Sequence, residues 1–207
     1  MKKKIGIINL NINNIHSIYE ACVKANFKVK VIDKNVKKFD YDVIILPGIG
    51  SFEKAMLALN KMKFQEKIEK FLLNRDNLLL GICLGMQLLF SKSYEFGVTA
   101  GLNLIPGEVI RLDSKIIVPH TGWANITLIK KNDQIIRKNL CKKMFYFTHS
   151  YYCKPKFSEN ILCETKYKNF SFCSAVKKNN IYGVQFHPEK SSLSGINLLK
   201  NLNDQVF

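Results

Sequence analysis

The sequence predicts an α/β fold: a mostly parallel central sheet with helices on both faces and antiparallel additions in the second half. Three observations predict it. Nearly uninterrupted apolar runs, such as residues 42–46 (DVIIL) and 78–82 (LLLGI), have no face to give to water, so they read as strands covered on both sides. Between these runs, apolar residues recur at helical spacing. From Val109 to Val184 the pattern changes to short strand-like pieces.

Residues 4–10 (KIGIINL) read as the first buried strand. Ile15, Ile18, Tyr19, Cys22 and Val23 follow on one helical face. Residues 27–32 alternate as a strand does, and residues 42–46 form another, stopped by Pro47 and Gly48. Phe52, Ala55, Met56, Leu59 and Met62 trace a helix that continues or restarts to Leu73. Residues 78–82 are a strand and residues 84–90 a helix. The second half predicts strands at 116–118, 126–129, 144–148, 161–165, 170–176 and 181–186, joined antiparallel to the same sheet. Ile196, Leu198, Leu199 and Leu202 predict a closing helix. No linker, repeat or low-complexity stretch divides residues 1–207, so one domain is expected.

The net charge of +16 comes almost wholly from lysine. The lysines are scattered, with no block of five and no interleaved aromatic ladder, so a solvated surface is expected rather than a nucleic-acid site. An acidic protein partner stays open. No apolar run approaches the roughly 20 residues that span a bilayer. Asn9, Asn11, Asn13 and Asn14 stand where a signal peptide would have small residues, so a cytoplasmic protein without membrane contact is expected. None of the six cysteines has C-x-x-C spacing, which gives zinc little support; free or buried thiols, no metal and no cofactor are expected.

Only Cys83 sits in a context that suggests chemistry. It lies in Gly81-Ile-Cys-Leu-Gly-Met-Gln87, after an apolar strand and before a helix. This is the G-x-nucleophile-x-G pattern of a nucleophile elbow. Side chains two residues to either side would collide across so sharp a turn, hence the two glycines. The helix start presents unpaired N–H groups, which favour an anionic sulfur and place the Leu84 N–H for an oxyanion. A thiol nucleophile needs a proton acceptor, and the acceptor needs a group to orient it. His187 ends an apolar strand and is followed by Pro188 and Glu189. Residues two apart in an extended chain project to the same side, so Glu189 can hold the His187 ring.

Together, Gly81–Gln87 and His187-Pro-Glu189 resemble the class I, triad-type glutamine amidotransferases. Pro47-Gly-Ile-Gly-Ser-Phe52 is similar to that family's oxyanion-strand loop. Pro119-His-Thr-Gly-Trp123, Phe147-Thr-His-Ser-Tyr151 and His187–Ser191 resemble the branch formed by the glutaminase subunits of imidazole glycerol phosphate synthases. The similarity spans essentially the whole chain.

The resemblance implies a flavodoxin-like glutaminase fold in one type-1 amidotransferase domain, and a Cys83–His187–Glu189 triad that hydrolyses L-glutamine. It implies that Gly48, Ile49 and Gly50 serve the oxyanion site beside Leu84. Gln87 and the His149, Ser150 and Tyr151 segment would bind glutamine. Asn14, Trp123, Tyr146 and Lys190 would face a partner. That partner is a (βα)8-barrel synthase (cyclase) subunit in a heterodimer, which receives ammonia for histidine biosynthesis. The departures lie at residues 10–17, where Asn14 and Ser17 match but both glycines and the arginine of the family do not, and at Thr121 and Ala124. They leave room for a paralogue that supplies ammonia for amidination of a surface sugar. The elbow alone also admits a cysteine peptidase-like hydrolase.

Overall fold

The computed structural model describes residues 2–11, 15–113, 116–130 and 132–203. The first half alternates as expected: β1 (Lys4–Ile8), α1 (His16–Lys24), β2 (Lys28–Ile32), β3 (Val43–Leu46), α2 (Phe52–Lys61), α3 (Phe64–Leu72), β4 (Leu78–Ile82) and α4 (Leu84–Leu88). The second half runs β5 (Phe90–Ser93), β6 (Thr99–Ala100), β7 (Ile105–Arg111), β8 (His120–Asn125), β9 (Thr127–Leu128), β10 (Met144–His149), β11 (Tyr151–Pro155), β12 (Ile161–Tyr167), β13 (Phe170–Lys178) and β14 (Ile181–Val184). It closes with α5 (Ser192–Asn201).

The main sheet has the order β2-β1-β3-β4-β14-β13-β11-β7-β5-β6, with β12 and β9 branching from β13. Strands β2, β1, β3, β4 and β14 are parallel; β13 and β11 continue antiparallel. Both faces are covered, and the period of two sorts the side chains. Val43, Ile45, Leu78, Leu80 and Ile82 point into one core with Ile18 and Cys22 of α1 and Leu198 and Leu199 of α5. Ile44, Leu46 and Leu79 point into the other with Ala55, Leu59 and Ile68 of α2 and α3.

Several expectations change. Residues 116–118 form no strand; Ile117 is exposed, and the ladder starts only at His120. An apolar run without a neighbouring strand gains nothing from an extended form. The helix after Cys83 stops at Leu88, because Phe90 already pairs with Ile105 of β7. Residues 185 and 186 lie beyond the last strand. The antiparallel additions are not all in one sheet: β8 and β10 form a separate two-stranded ribbon. Its register pairs His120 with His149, Thr121 with Thr148, and Trp123 with Tyr146. The ribbon packs through Phe145, Phe147 and Phe186, with the Phe145 and Phe186 rings 4.2 Å apart.

Candidate active site

Cys83 stands at the carboxyl end of β4, a central strand, where open α/β sheets place their ligands. Its backbone is at φ 53°, ψ −110°, a strained conformation for a residue with a side chain. Its N–H donates to the Val184 carbonyl at 2.8 Å, which ties the elbow to β14. The flanking glycines are needed, though not against each other's side chains. A Cβ on Gly81 would come 2.6 Å from the Gly85 carbonyl oxygen, and one on Gly85 would come 1.7 Å from the Leu46 carbonyl oxygen at the end of β3. Gly48 is constrained in the same way, since its Cβ would lie 2.5 Å from the Leu84 Cβ. Three strand ends therefore close on the elbow at backbone contact.

His187 follows β14, which pairs in parallel with β4, so the two strands bring residues 83 and 187 to one edge. The His187 N–H donates to the Tyr146 carbonyl at 2.9 Å. Glu189 lies on a 3-10 turn (Pro188–Lys190), and its Oε1 is 2.8 Å from His187 Nδ1. His187 is 1 % exposed. Burial alone would lower its pKa, but the Cys83 sulfur, as acceptor, and the Glu189 carboxylate outweigh burial and hold it up at about 10. Nε2, the other ring nitrogen, is buried and makes no well-formed hydrogen bond. Cys83 Sγ has the Thr148 carbonyl oxygen at 3.9 Å and Gln185 Nε2 at 3.6 Å.

The 47–51 loop leads from β3 into α2. Gly48 is buried against Leu84, while Ile49 and Gly50 are exposed. Gly50 has φ 113°, which favours glycine, and its Cα faces open space. Leu84 opens α4, so its N–H belongs to the first-turn set that helical bonding leaves unpaired.

Two of the residues expected to bind glutamine have side chains that make hydrogen bonds within the protein. His149 is buried, with Nδ1 2.9 Å from the Tyr151 carbonyl oxygen and Nε2 3.0 Å from His120 Nδ1. Both nitrogens are engaged inside the protein, so the ring braces the segment from within. The amide nitrogen of Gln87 is committed inward too, to the Tyr151 carbonyl at 3.0 Å and to Gln185 Oε1 at 3.3 Å. Ser150 and Tyr151 are half-buried and keep some surface. The sequence pattern singled out neither Gln185 nor His120. The available signal was a polar residue inside the apolar run 181–186 and a histidine paired in register with His149.

Three of the four residues expected at a partner surface cluster together. Trp123 is 46 % exposed, its ring 6.1 Å from that of Tyr146, and Lys190 Nζ sits 5.8 Å over the Tyr146 ring. Lys190 is next to Glu189, so this patch borders the site. Asn14 lies outside the described residues. All six cysteines are free, and Cys83 is the one whose sulfur helps to raise the His187 pKa. Among the described residues, no helix is long and apolar enough to cross a membrane.

The model of the family "Glutamine amidotransferase class-I" matches residues 7–204. The chain is 40 % identical over 199 residues to "Imidazole glycerol phosphate synthase subunit HisH" of Chlorobaculum tepidum, covering 95 % of this chain and 98 % of that one. It is 40 % identical over 204 residues to the protein of the same description from Moorella thermoacetica, covering 99 % and 96 %. Among solved structures it is similar to PurLQS from Thermotoga maritima, with TM-score 0.78, 17 % identity and 99 % of both chains covered. It is also similar to a glutamine amidotransferase from Thermotoga maritima, with TM-score 0.66, 15 % identity and coverage of 99 % and 84 %. At those identities the structures speak for the fold alone.

Proposed function

This chain belongs to the class-I glutamine amidotransferases, and from that membership we propose that it is the glutaminase subunit of an imidazole glycerol phosphate synthase, with Cys83, His187 and Glu189 as its triad. The observation that carries the reading is Cys83 at φ 53° on a strand-to-helix elbow, beside a histidine whose other nitrogen is 2.8 Å from a carboxylate. Relatives at 40 % identity that bear the name of that subunit support the choice of synthase over a sugar-amidinating paralogue or a peptidase.

In the proposed reaction the proton given up by Cys83 rests on His187 Nε2, as the ring's high pKa favours, and the sulfur attacks the carboxamide carbon of glutamine. Glu189 stabilises the imidazolium and fixes which nitrogen faces the sulfur. The Leu84 N–H and the 48–50 loop hold the tetrahedral oxyanion; one such donor is typically worth about 10²–10³ in rate. His187 returns the proton to the departing ammonia. Water, deprotonated by the same ring, then cleaves the glutamyl thioester to glutamate and frees the sulfur. Ammonia is useful to an acceptor enzyme only if it escapes bulk water, so the product leaves toward a (βα)8-barrel synthase subunit docked over Trp123, Tyr146 and Lys190. There it is consumed in making imidazole glycerol phosphate and aminoimidazole carboxamide ribotide for histidine.

The test is Cys83→Ala in complex with the barrel subunit. Synthesis from glutamine is lost, while synthesis from added ammonium salt continues at the wild-type rate. Glutamine-dependent synthesis surviving in this variant removes Cys83 as nucleophile. Loss of both activities removes the division of labour between subunits.

A further inference from the structure

Gln185 is fully buried, one residue past β14 and two before His187. Its Nε2 is 3.6 Å from Cys83 Sγ, and its Oε1 is 3.3 Å from Gln87 Nε2. Gln87 Nε2 also donates to the Tyr151 carbonyl at 3.0 Å. The second lone pair of that carbonyl takes the bond from His149 Nδ1 at 2.9 Å, and His149 Nε2 faces His120 Nδ1 at 3.0 Å. A connected chain of polar groups therefore runs from the ribbon strand β8 to the sulfur.

The Tyr151 carbonyl can only accept, and that fixes the direction of every bond. His149 must carry its hydrogen on Nδ1, so its Nε2 is bare and accepts from a His120 Nδ1–H. Gln87 must present its NH2 to Tyr151, which also turns NH2 toward Gln185. Gln185 must then answer with its carbonyl oxygen, and its own NH2 is left facing the sulfur. Protonating His149 would put a hydrogen on its Nε2 and reverse the bond, so that His120 Nδ1 would have to accept. Burial prevents this: it lowers His149 to about 3, with the charges of His120 and His187 adding to the effect, and it lowers His120 to about 4. His120 is further fixed by Tyr167, whose ring is stacked 4.0 Å away.

We propose that Gln185 is a positioning residue for Cys83, its amide N–H donating to the sulfur and favouring the anion, with its aim set by Gln87, the Tyr151 carbonyl, His149 and His120. The inference deepens the reading of Cys83 as nucleophile and rests on it. The other titratable groups around the sulfur are His187 with Glu189 behind it, neutral His149, and the Cys153 thiol, which burial keeps protonated.

The experiment compares Gln185→Met, of similar volume without a donor, and Gln185→Glu, of similar shape with a negative charge, after near-UV circular dichroism has confirmed folding. The rate of Cys83 alkylation by iodoacetamide is followed against pH, with Cys83→Ala as the blank for the other thiols. In Gln185→Met the midpoint moves up by about one pH unit, and in Gln185→Glu by more, because a hydrogen bond to a charged group is worth roughly tenfold. With the barrel subunit present, kcat for glutamine falls roughly tenfold while KM stays within about twofold. A wild-type midpoint in either folded variant overturns the proposal, as does a loss confined to KM. If neither variant folds, Gln87→Leu frees the Gln185 amide, and the same upward shift, smaller, is expected; an unshifted midpoint there overturns it. Alkylation needs no glutamine. A chain with shifted midpoints that hydrolyses no glutamine would sink the glutaminase reading and leave the Gln185 contact standing.

Discussion

At Glu189 the carboxylate does two things: it accepts from His187 Nδ1 and raises the ring's pKa. Glu189→Gln keeps the shape and removes the charge. The expected result is a fall of roughly 10²–10⁴ in kcat, with the alkaline limb of the pH–rate profile moved to lower pH. The limb shifts down because the wild-type ring is held high, at about 10, in part by that charge. An NMR titration of His187 in the variant reads the same displacement directly. The proposed triad of Cys83, His187 and Glu189 was legible in the sequence because elbow and strand-end chemistry is local. Gln185 was not, since its role depends on Gln87 and Tyr151, 98 and 34 positions away and brought near by strand pairing. The internal bonds of His149 were hidden for the same reason. Its neighbour in space, His120, enters only through the register of β8 against β10.

The elements decide whether that chemistry is held in place. Helix α4 is seated on β3 through Gly85, where an added methyl carbon would overlap the Leu46 carbonyl oxygen. Gly85→Ala is expected to lower stability by about 3 kcal/mol, at the upper end of overpacking, and to displace the elbow, so glutaminase activity falls with it. Gly50→Ala is the contrast: its φ is unfavourable, but nothing lies within 4 Å, so the cost is about 1 kcal/mol. Thermal melting of the two variants separates obstruction from backbone strain. The strands and helices of the first half were readable because burial on both faces leaves a strong apolar signal. β5, β7, β8 and β11 were missed: FSKS, IPGEVIR, HTGWAN and YYCKP mix polar and apolar residues because each has a partly exposed face. Only their pairing partners make them strands.

For the molecule as a whole, three histidines set opposite limbs of the stability curve. His120 and His149 protonate at about 4 and about 3 when folded, against 6.5 ordinarily. Between those values the unfolded chain binds protons that the folded one refuses, so stability falls as pH drops from about 6.5 toward 3. His187 is raised, so its contribution is full below about 6.5 and is lost as pH rises toward about 10. Melting temperature is therefore expected to peak near neutrality, and replacing His120 with Asn and His149 with Gln together flattens the acid limb. Trp123→Ala is expected to weaken binding of the proposed barrel subunit by at least roughly tenfold, read by titration calorimetry, with the alkylation midpoint of Cys83 unmoved. The pairing of β4 with β14 carries one more consequence. Cys83 is made early and its base late, and they meet only when Ile181–Val184 slots in beside Leu78–Ile82. A nascent chain halted on the ribosome before that strand emerges carries a sulfur with no proton acceptor. With the proposed triad, fragments and stalled intermediates are expected to be inert, so that half-finished copies do not hydrolyse a cell's nitrogen store.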